Sequence, residues 1–198
     1  VRAALAAGVG RVVGISTDKA CAAITTYGAS KRMMEGLFQA QPAHGPIFTL
    51  CRYGNVLASN GSVIPLWRQQ AARGEPLTIT DRRMTRFWMG ERDAVRTIEI
   101  AAIMNPRSIF VPKMGAVAVA DMAEWIVSGC DTREIGLRST AKLHEDLVHP
   151  NEPFNDDKPG FFTSPVGRGG ITYTSDRAPR IPRETFLAML AESEAAYA

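Results

Sequence analysis

The chain has 198 residues, of which 45% are hydrophobic and 22% charged, with a formal net charge of +3. This is the balance of a globular protein with one sizeable core, and no run of five like charges marks a nucleic-acid tail or a polybasic membrane patch. No apolar run approaches the ~20 residues needed to span a bilayer, so the expectation is a cytoplasmic protein with no nucleic-acid partner and no membrane span.

The opening "VRAALAAGVG" has alanines and a leucine suited to a helix, closed by Gly8 and Gly10. It lacks the composition and length of a signal peptide. Because it starts with valine and reads as a helix already under way, the chain is expected to be a fragment. "RVVGIST" follows as a short β-branched strand. "YGASKRMMEGLFQA" returns to helical character, with Tyr27, Met34, Leu37 and Phe38 predicted to share one side. "PIFTLCRYGNV" reads as a second buried strand. Strand, helix, strand is the unit of a parallel sheet, where functional groups collect at the carboxyl ends of strands. Thr17, Asp18 and Lys19 stand at one such end, and Asn55 at the next.

From about Asn60 the alternation loosens. A helix is predicted after Pro65, a short strand at "LTIT", a helix at "RDAVRTIEIAAI", a strand at "SIFVPK" and a helix beginning at Val119. Residues 150–180, rich in Pro, Gly, Asp and Arg, are expected to be long surface loops, and "IPRETFLAMLAESEAAYA" a terminal helix.

Cys21, Cys51 and Cys130 are odd in number and form no CxxC pair, so neither a disulfide framework nor a zinc site is expected. "HEDLVH" invites a metal reading, but His144 and His149 would lie about 140° apart around a helix and could not grip one ion from one face. Trp67, Trp88 and Trp125 are scattered singly, the pattern of core anchors.

Tyr27 and Lys31 are four apart and fall on one helical face. An ammonium beside a phenol favours the phenolate, and such a phenol can take a proton from a sugar hydroxyl while hydride leaves the same carbon. The spacing alone also arises by chance, and a loop carrying Asp18 and Lys19 could be there for solvation only. The context is what points to chemistry: a hydroxyl, a carboxylate and an amine at one strand end, then the tyrosine and second lysine, then an amide at the next strand end.

The stretches "STDKA", "YGASK", "RYGNVLASNGSVIPLW", "TITDRRMTRFWM", "IFVPKM" and "IGLRSTAKLHE" occur in order over residues 12–152. Together they resemble the extended short-chain dehydrogenase/reductases, and within them the inverting UDP-N-acetylglucosamine 4,6-dehydratases of the polysaccharide biosynthesis protein family. The resemblance implies an α/β fold: the C-terminal part of a doubly wound parallel, Rossmann-like sheet plus a smaller α/β substrate-binding portion. Residues 1–60 would be the second half of the NAD(P)-binding domain, its first βα units missing. Residues 61–198 would mainly bind substrate, with 85–105 returning to the first domain.

The resemblance also implies roles. Tyr27, helped by Lys31, removes the proton of the 4-hydroxyl as NADP (or NAD) takes hydride from carbon 4. Lys19 is the base at carbon 5, Asp18 the acid for the departing 6-hydroxyl, and Thr17 a hydrogen-bonding partner near the reacting hydroxyl. Hydride then returns to carbon 6, and reprotonation of carbon 5 from the opposite face inverts it. Tyr27 and Lys31 also touch the cofactor, as does Val56. Ser16, Asn55, Asn60, Val63, Thr80 and Arg138 match substrate-binding positions, Arg138 suiting a diphosphate because guanidinium meets phosphate oxygens bidentately. The implied partners are a UDP-sugar and, at full length, further copies of the chain. Tyr27 favours the inverting branch, since retaining relatives usually have methionine there.

Two departures stand out. The family usually has glutamate where this chain has Ala141, which removes an acceptor at the ligand. No glycine-rich turn follows a first strand into a helix; Gly8 and Gly10 precede a strand instead. The rival readings are a UDP-hexose 4-epimerase-like enzyme, which needs Tyr27 and Lys31 but not the Asp18–Lys19 pair, and an inactive remnant that still binds sugar nucleotides.

Overall fold

The computed structural model describes residues 1–41, 45–59, 62–103, 108–164 and 169–196. In chain order, α1 (Arg2–Ala6) leads to β1 (Arg11–Thr17), a 3-10 turn (Asp18–Ala20) and α2 (Thr26–Gln39). β2 (Ile47–Tyr53), β3 (Asn55–Val56), α3 (Val63–Ala72), β4 (Leu77–Ile79), β5 (Thr85–Met89) and α4 (Glu91–Ile103) follow. Then come β6 (Ile109–Pro112), β7 (Ala116–Ala118), α5 (Val119–Ile126), β8 (Thr132–Glu134) and β9 (Asp146–Val148). β10 (Asn155–Lys158), β11 (Phe161–Thr163), β12 (Tyr173–Thr174) and α6 (Arg183–Ala195) complete the chain. These elements divide into two units.

The first unit comprises Val1–Gly54, Asp93–Lys113 and Asp146–Thr174. Its sheet runs β1-β2-β6-β11-β10. β1, β2 and β6 are parallel, and the β1–β2 register pairs Arg11 with Ile47 through to Thr17 with Tyr53, so both strands end at one level. α2 crosses over between them. Gly14 makes that packing possible, because a Cβ there would stand 2.8 Å from both Phe38 of α2 and Leu50 of β2.

Two expectations need correction here. Residues 150–180 are not only loops: β11 pairs antiparallel with β6, and β10 antiparallel with β11, so the parallel sheet becomes mixed. Aromatic packing carries this extension, with the Phe161 ring 5.7 Å from Phe110 and Phe162 5.0 Å from Tyr173. Strands this short are invisible to periodicity. The second correction concerns α2. Its buried residues are Gly28 and Glu35, while Tyr27 and Leu37 are 53% and 54% exposed. The predicted apolar face is displaced because a paired carboxylate, described below, occupies the inward side.

The second unit comprises Asn55–Arg92, Met114–Glu145 and Ser175–Ala198. A three-stranded sheet runs β3-β5-β7, and β4 pairs with β8 in a separate parallel ladder. Its core gathers Leu57, Trp67, Leu77, Trp88, Met122 and Phe186. Trp88 meets Phe186 edge-on at 6.0 Å, and the Trp67 indole N–H donates to the Thr78 carbonyl at 2.8 Å. Residues 146–174, read from the sequence as part of the substrate-binding portion, sit with the first unit, and the return to that unit runs over 93–113.

Candidate active site

In the first unit, β1 delivers Thr17 in an extended conformation, and its hydroxyl oxygen caps the 3-10 turn by accepting from the Lys19 amide at 3.4 Å. The same hydroxyl donates to Asp18 Oδ1 at 2.9 Å, and Lys19 Nζ donates to that oxygen at 2.9 Å. Asp18 is fully buried, and its Oδ2 has no hydrogen-bond partner among the described residues. A buried carboxylate oxygen without a donor is costly, and such groups persist where they have a task.

Thr25 caps α2 by accepting from the Gly28 amide at 2.9 Å. Gly28 matters for a steric reason: a Cβ at this position would lie 2.1 Å from the Lys19 carbonyl oxygen. The helix start is therefore pressed directly onto the Thr17–Asp18–Lys19 turn. One residue earlier, Tyr27 projects outward, and its hydroxyl makes no hydrogen bond among the described residues. Lys31 Nζ stands 5.9 Å from the Tyr27 ring centre and donates to the Ile15 carbonyl at 2.9 Å, which ties α2 to β1. An ammonium has three donors, so one such bond leaves capacity for a ligand. Thr17, Asp18, Lys19, Tyr27 and Lys31 are thus drawn into one corner of this unit.

Ser16 is placed differently from the expectation of a substrate contact. Its side chain is buried and donates to Glu35 Oε1 at 2.6 Å, so its hydroxyl is already engaged. Cys21 and Cys51 are buried free thiols; burial pushes Cys51 up to about 12 and Cys21 further still, so neither is a nucleophile at neutral pH.

The second unit holds a cavity of about 360 Å3. Asn55, Val63 and Thr80, three of the expected substrate positions, line it. Its lining is largely apolar, with Met84, Trp88, Val119, Met122 and the methyl of Ala141. Ser62 also lines it; the Ser62 hydroxyl and the Trp88 indole N–H are buried without a hydrogen-bond partner among the described residues. An apolar wall with a few polar groups is the usual form of a small-molecule pocket.

Arg86 is a lining residue that the sequence reading missed. Its guanidinium is braced by the carbonyls of Thr85, Leu143 and Lys142 at 2.6, 3.1 and 2.9 Å. An arginine inside the apolar strand run "TRFWM" was the available signal. Arg138, predicted to clamp a diphosphate, is exposed and is not among the lining residues, so the arginine at this cavity is Arg86. Beside Thr80, hydrogen bonds from Arg83 hold Asp81 down at about 2, so the two form an ion pair. Val56, the expected cofactor contact, is half-buried on β3, where it pairs with Met89. Asn60 lies outside the described residues.

"HEDLVH" is interrupted by β9 and is not a helix. His144 Nδ1 is 2.8 Å from the Thr85 hydroxyl, whereas His149 Nδ1 accepts from the Asn151 amide at 3.3 Å. Among the described residues no group of His, Cys, Asp or Glu is arranged to hold a metal ion, and no helix is long and apolar enough to cross a membrane.

A parallel strand–helix–strand unit with Thr-Asp-Lys at the strand end and YxxxK on the helix defines a Rossmann-like protein of the short-chain dehydrogenase/reductase class. The family comparison agrees over most of the length. The chain belongs to the polysaccharide biosynthesis protein family, whose model matches residues 1–162. It is 31% identical to the inverting UDP-N-acetylglucosamine 4,6-dehydratase of Campylobacter jejuni, over 87% of this chain and 60% of that protein. It is 37% identical to the UDP-glucose 4-epimerase of Rickettsia akari, over 83% of this chain and 51% of that one. The X-ray structure of Pen from Bacillus thuringiensis superposes with a TM-score of 0.85 at 29% identity, covering 98% of this chain and 65% of that one. The chain thus spans about 60% of the length of the dehydratase it matches. More distant structures that share the fold were solved with NAD bound.

Proposed function

We propose that this protein acts as an inverting nucleotide-sugar 4,6-dehydratase on a UDP-N-acetylhexosamine in polysaccharide biosynthesis. The observation that carries the reading is the Asp18–Lys19 pair: a buried carboxylate with one unengaged oxygen and an ammonium 2.9 Å from the other, in the corner that also holds Tyr27 and Lys31. Eliminating water needs an acid and a base acting on different atoms, beyond the phenol that opens the reaction. The Lys31 ammonium favours the phenolate form of Tyr27, which takes the proton of the 4-hydroxyl and becomes the neutral phenol. A proton passes from the Lys19 ammonium to the Asp18 carboxylate along their 2.9 Å hydrogen bond, so that the neutral amine removes the proton at carbon 5 and the protonated carboxyl passes one to the departing 6-hydroxyl. Thr17, donating to Asp18, keeps that carboxyl oriented.

A nicotinamide dinucleotide, NADP in this reading, supplies the hydride acceptor and donor. The Tyr27 hydroxyl, unbonded among the described residues, and the further donors of Lys31 suit its nicotinamide ribose. The cavity of the second unit takes the sugar nucleotide, with Asn55, Ser62 and Thr80 as hydrogen-bonding groups, Arg86 as its cation and Trp88 as its apolar wall.

The test is incubation of the product of the whole reading frame with UDP-N-acetylglucosamine and NADP. A 6-deoxy-4-keto product inverted at carbon 5 is the expected result. The identity to the Rickettsia enzyme gives a second reading, 4-epimerisation, which uses Tyr27 and Lys31 alone; a 4-epimer as the product decides for it. Tight substrate binding without any product decides against both, leaving a binding remnant.

A further inference from the structure

We infer that the buried Glu35–Arg52–Glu152 cluster is a clamp on both flanks of the Thr17–Asp18–Lys19 turn, with Ser16 and Cys21 as its points of attachment. Arg52, on β2, is wholly buried. Its Nε and Nη2 donate to the two oxygens of Glu35 at 2.9 and 2.7 Å. Its Nη1 and Nη2 donate to those of Glu152 at 2.8 and 2.7 Å, and Nη1 donates also to the Leu147 carbonyl at 3.0 Å. That engages the five donors of a guanidinium.

Each carboxylate then holds one side of the turn. Glu35 accepts the Ser16 hydroxyl, immediately before Thr17. Glu152 accepts the Cys21 thiol at 3.5 Å, immediately after Ala20, and the Cys21 amide donates back to the Asp18 carbonyl at 3.0 Å. Arg32, at 3.1 Å from Glu35 and 3.3 Å from Glu152, brings the cluster to two positive and two negative charges. The His149 amide donates to Glu152 at 3.1 Å, and the Phe154 ring lies 5.5 Å from the Arg52 guanidinium.

Burial works against the charge on Arg52, but the hydrogen bonds it donates to Glu152 and Glu35 overcome it and hold the guanidinium protonated. Burial likewise works against ionised Glu152, and the bonds and charge of Arg52 outweigh it, keeping that carboxyl below its usual range. Buried ion clusters are often no more stabilising than apolar side chains of the same volume, so their distinctive contribution is geometry. Here one planar guanidinium fixes two carboxylates whose remaining acceptor sites straddle the acid–base turn. Ser16, Glu35, Arg52 and Glu152 are positioning residues, acting through the turn without touching substrate.

The inference rests on the dehydratase reading only for its consequence in turnover; the clamp itself is read without a ligand. Ser16→Ala cuts one attachment and leaves the ion cluster whole; Glu152→Gln weakens the other and serves if Ser16→Ala fails to fold. Amide hydrogen exchange is measured at Lys19 and Cys21, with Gly14 in mid-strand as the internal reference. Exchange at the turn is expected to rise about five- to tenfold, the size of one lost hydrogen bond, with Gly14 unchanged. In the whole gene product kcat falls by a similar factor while KM holds. No change at the turn, or an equal rise at Gly14, overturns the clamp. A rise confined to the turn in a protein that never dehydrates a sugar nucleotide upholds the clamp and removes the dehydratase reading. Unchanged exchange in a protein that does turn over removes the clamp alone.

Discussion

The two units solve opposite problems with their polar groups. In the first, almost every polar side chain around the turn is engaged by another: Ser16 by Glu35, Glu35 by Arg52, Thr17 and Lys19 by Asp18. Among the described residues one carboxylate oxygen is left over there, Asp18 Oδ2. In the second, the cavity is lined by Met84, Trp88, Val119 and Met122, and two of its polar atoms, the Ser62 hydroxyl and the Trp88 N–H, are without partners among the described residues. A mutually engaged network costs no reorganisation when chemistry occurs, which is what an acid–base centre requires. Unengaged donors beside an apolar wall are what a binding pocket requires, since the ligand supplies the missing acceptors. Changes in the first unit are therefore expected to act on kcat, and changes in the second on KM.

The largest effect is expected at Lys19. Replacing it by alanine removes the base assigned to carbon 5 and leaves Asp18 buried with only Thr17 as a side-chain donor, so kcat of the whole gene product should fall about 10²- to 10⁴-fold. Survival of most of the dehydratase activity would mean that another group is the base at carbon 5, and the role given to Lys19 would fall. Gly28→Ala comes next and is read in the melting curve. Its new Cβ meets backbone 2.1 Å away, where no side chain can yield, so helix and turn must separate at a cost of about 3 kcal/mol. A melting temperature close to the original would show that α2 is not seated on the turn as described.

Ser62→Ala carries the comparison into the second unit. The hydroxyl it removes is buried and bonded to nothing among the described residues, so the ligand-free protein should melt no lower than before. KM for the sugar nucleotide should rise about five- to tenfold with kcat unchanged, the signature of a lost binding contact. A fall in kcat instead would erase the division of labour between the units.

Much of the first unit was readable in the sequence because its elements are long. β1, α2 and β2 each carry enough residues for a period to show, and the Thr-Asp-Lys triplet and YxxxK keep their spacing on any such unit. What stayed hidden was what short or non-local structure decides. β8 to β12 have two to four residues each, too few for alternation to register. Glu35 reads as an ordinary polar helix position until Arg52, 17 residues on, is placed beneath it. Arg86 was legible in principle, as a charge inside "TRFWM", but the motif around Arg138 outbid it. Nothing in the sequence around Gly28 shows why a helix should have a glycine in its first turn, and only the approach of the Lys19 carbonyl gives it a purpose.

The smallest effect tests whether backbone strain belongs to one unit or to both. Ala22, just past the acid–base turn, has φ 45°, and Ala58, just past β3, has φ 58°. Both are left-handed, a conformation that costs a residue with a Cβ about 1 kcal/mol or more relative to glycine. Glycine at either position relieves that cost in the folded state but loosens the unfolded chain by about 0.4–1 kcal/mol. The two terms nearly cancel, so Ala22→Gly and Ala58→Gly should each move the melting temperature by less than about 2 °C. Activity separates them. If the strain at Ala22 helps to aim Lys19, its glycine variant loses kcat at unchanged stability, whereas Ala58→Gly, beside a pocket that waits for its ligand, shifts KM or nothing. An unchanged kcat in Ala22→Gly would show that the aim of the turn owes nothing to that strain and rests on Gly28 and the Arg52 cluster.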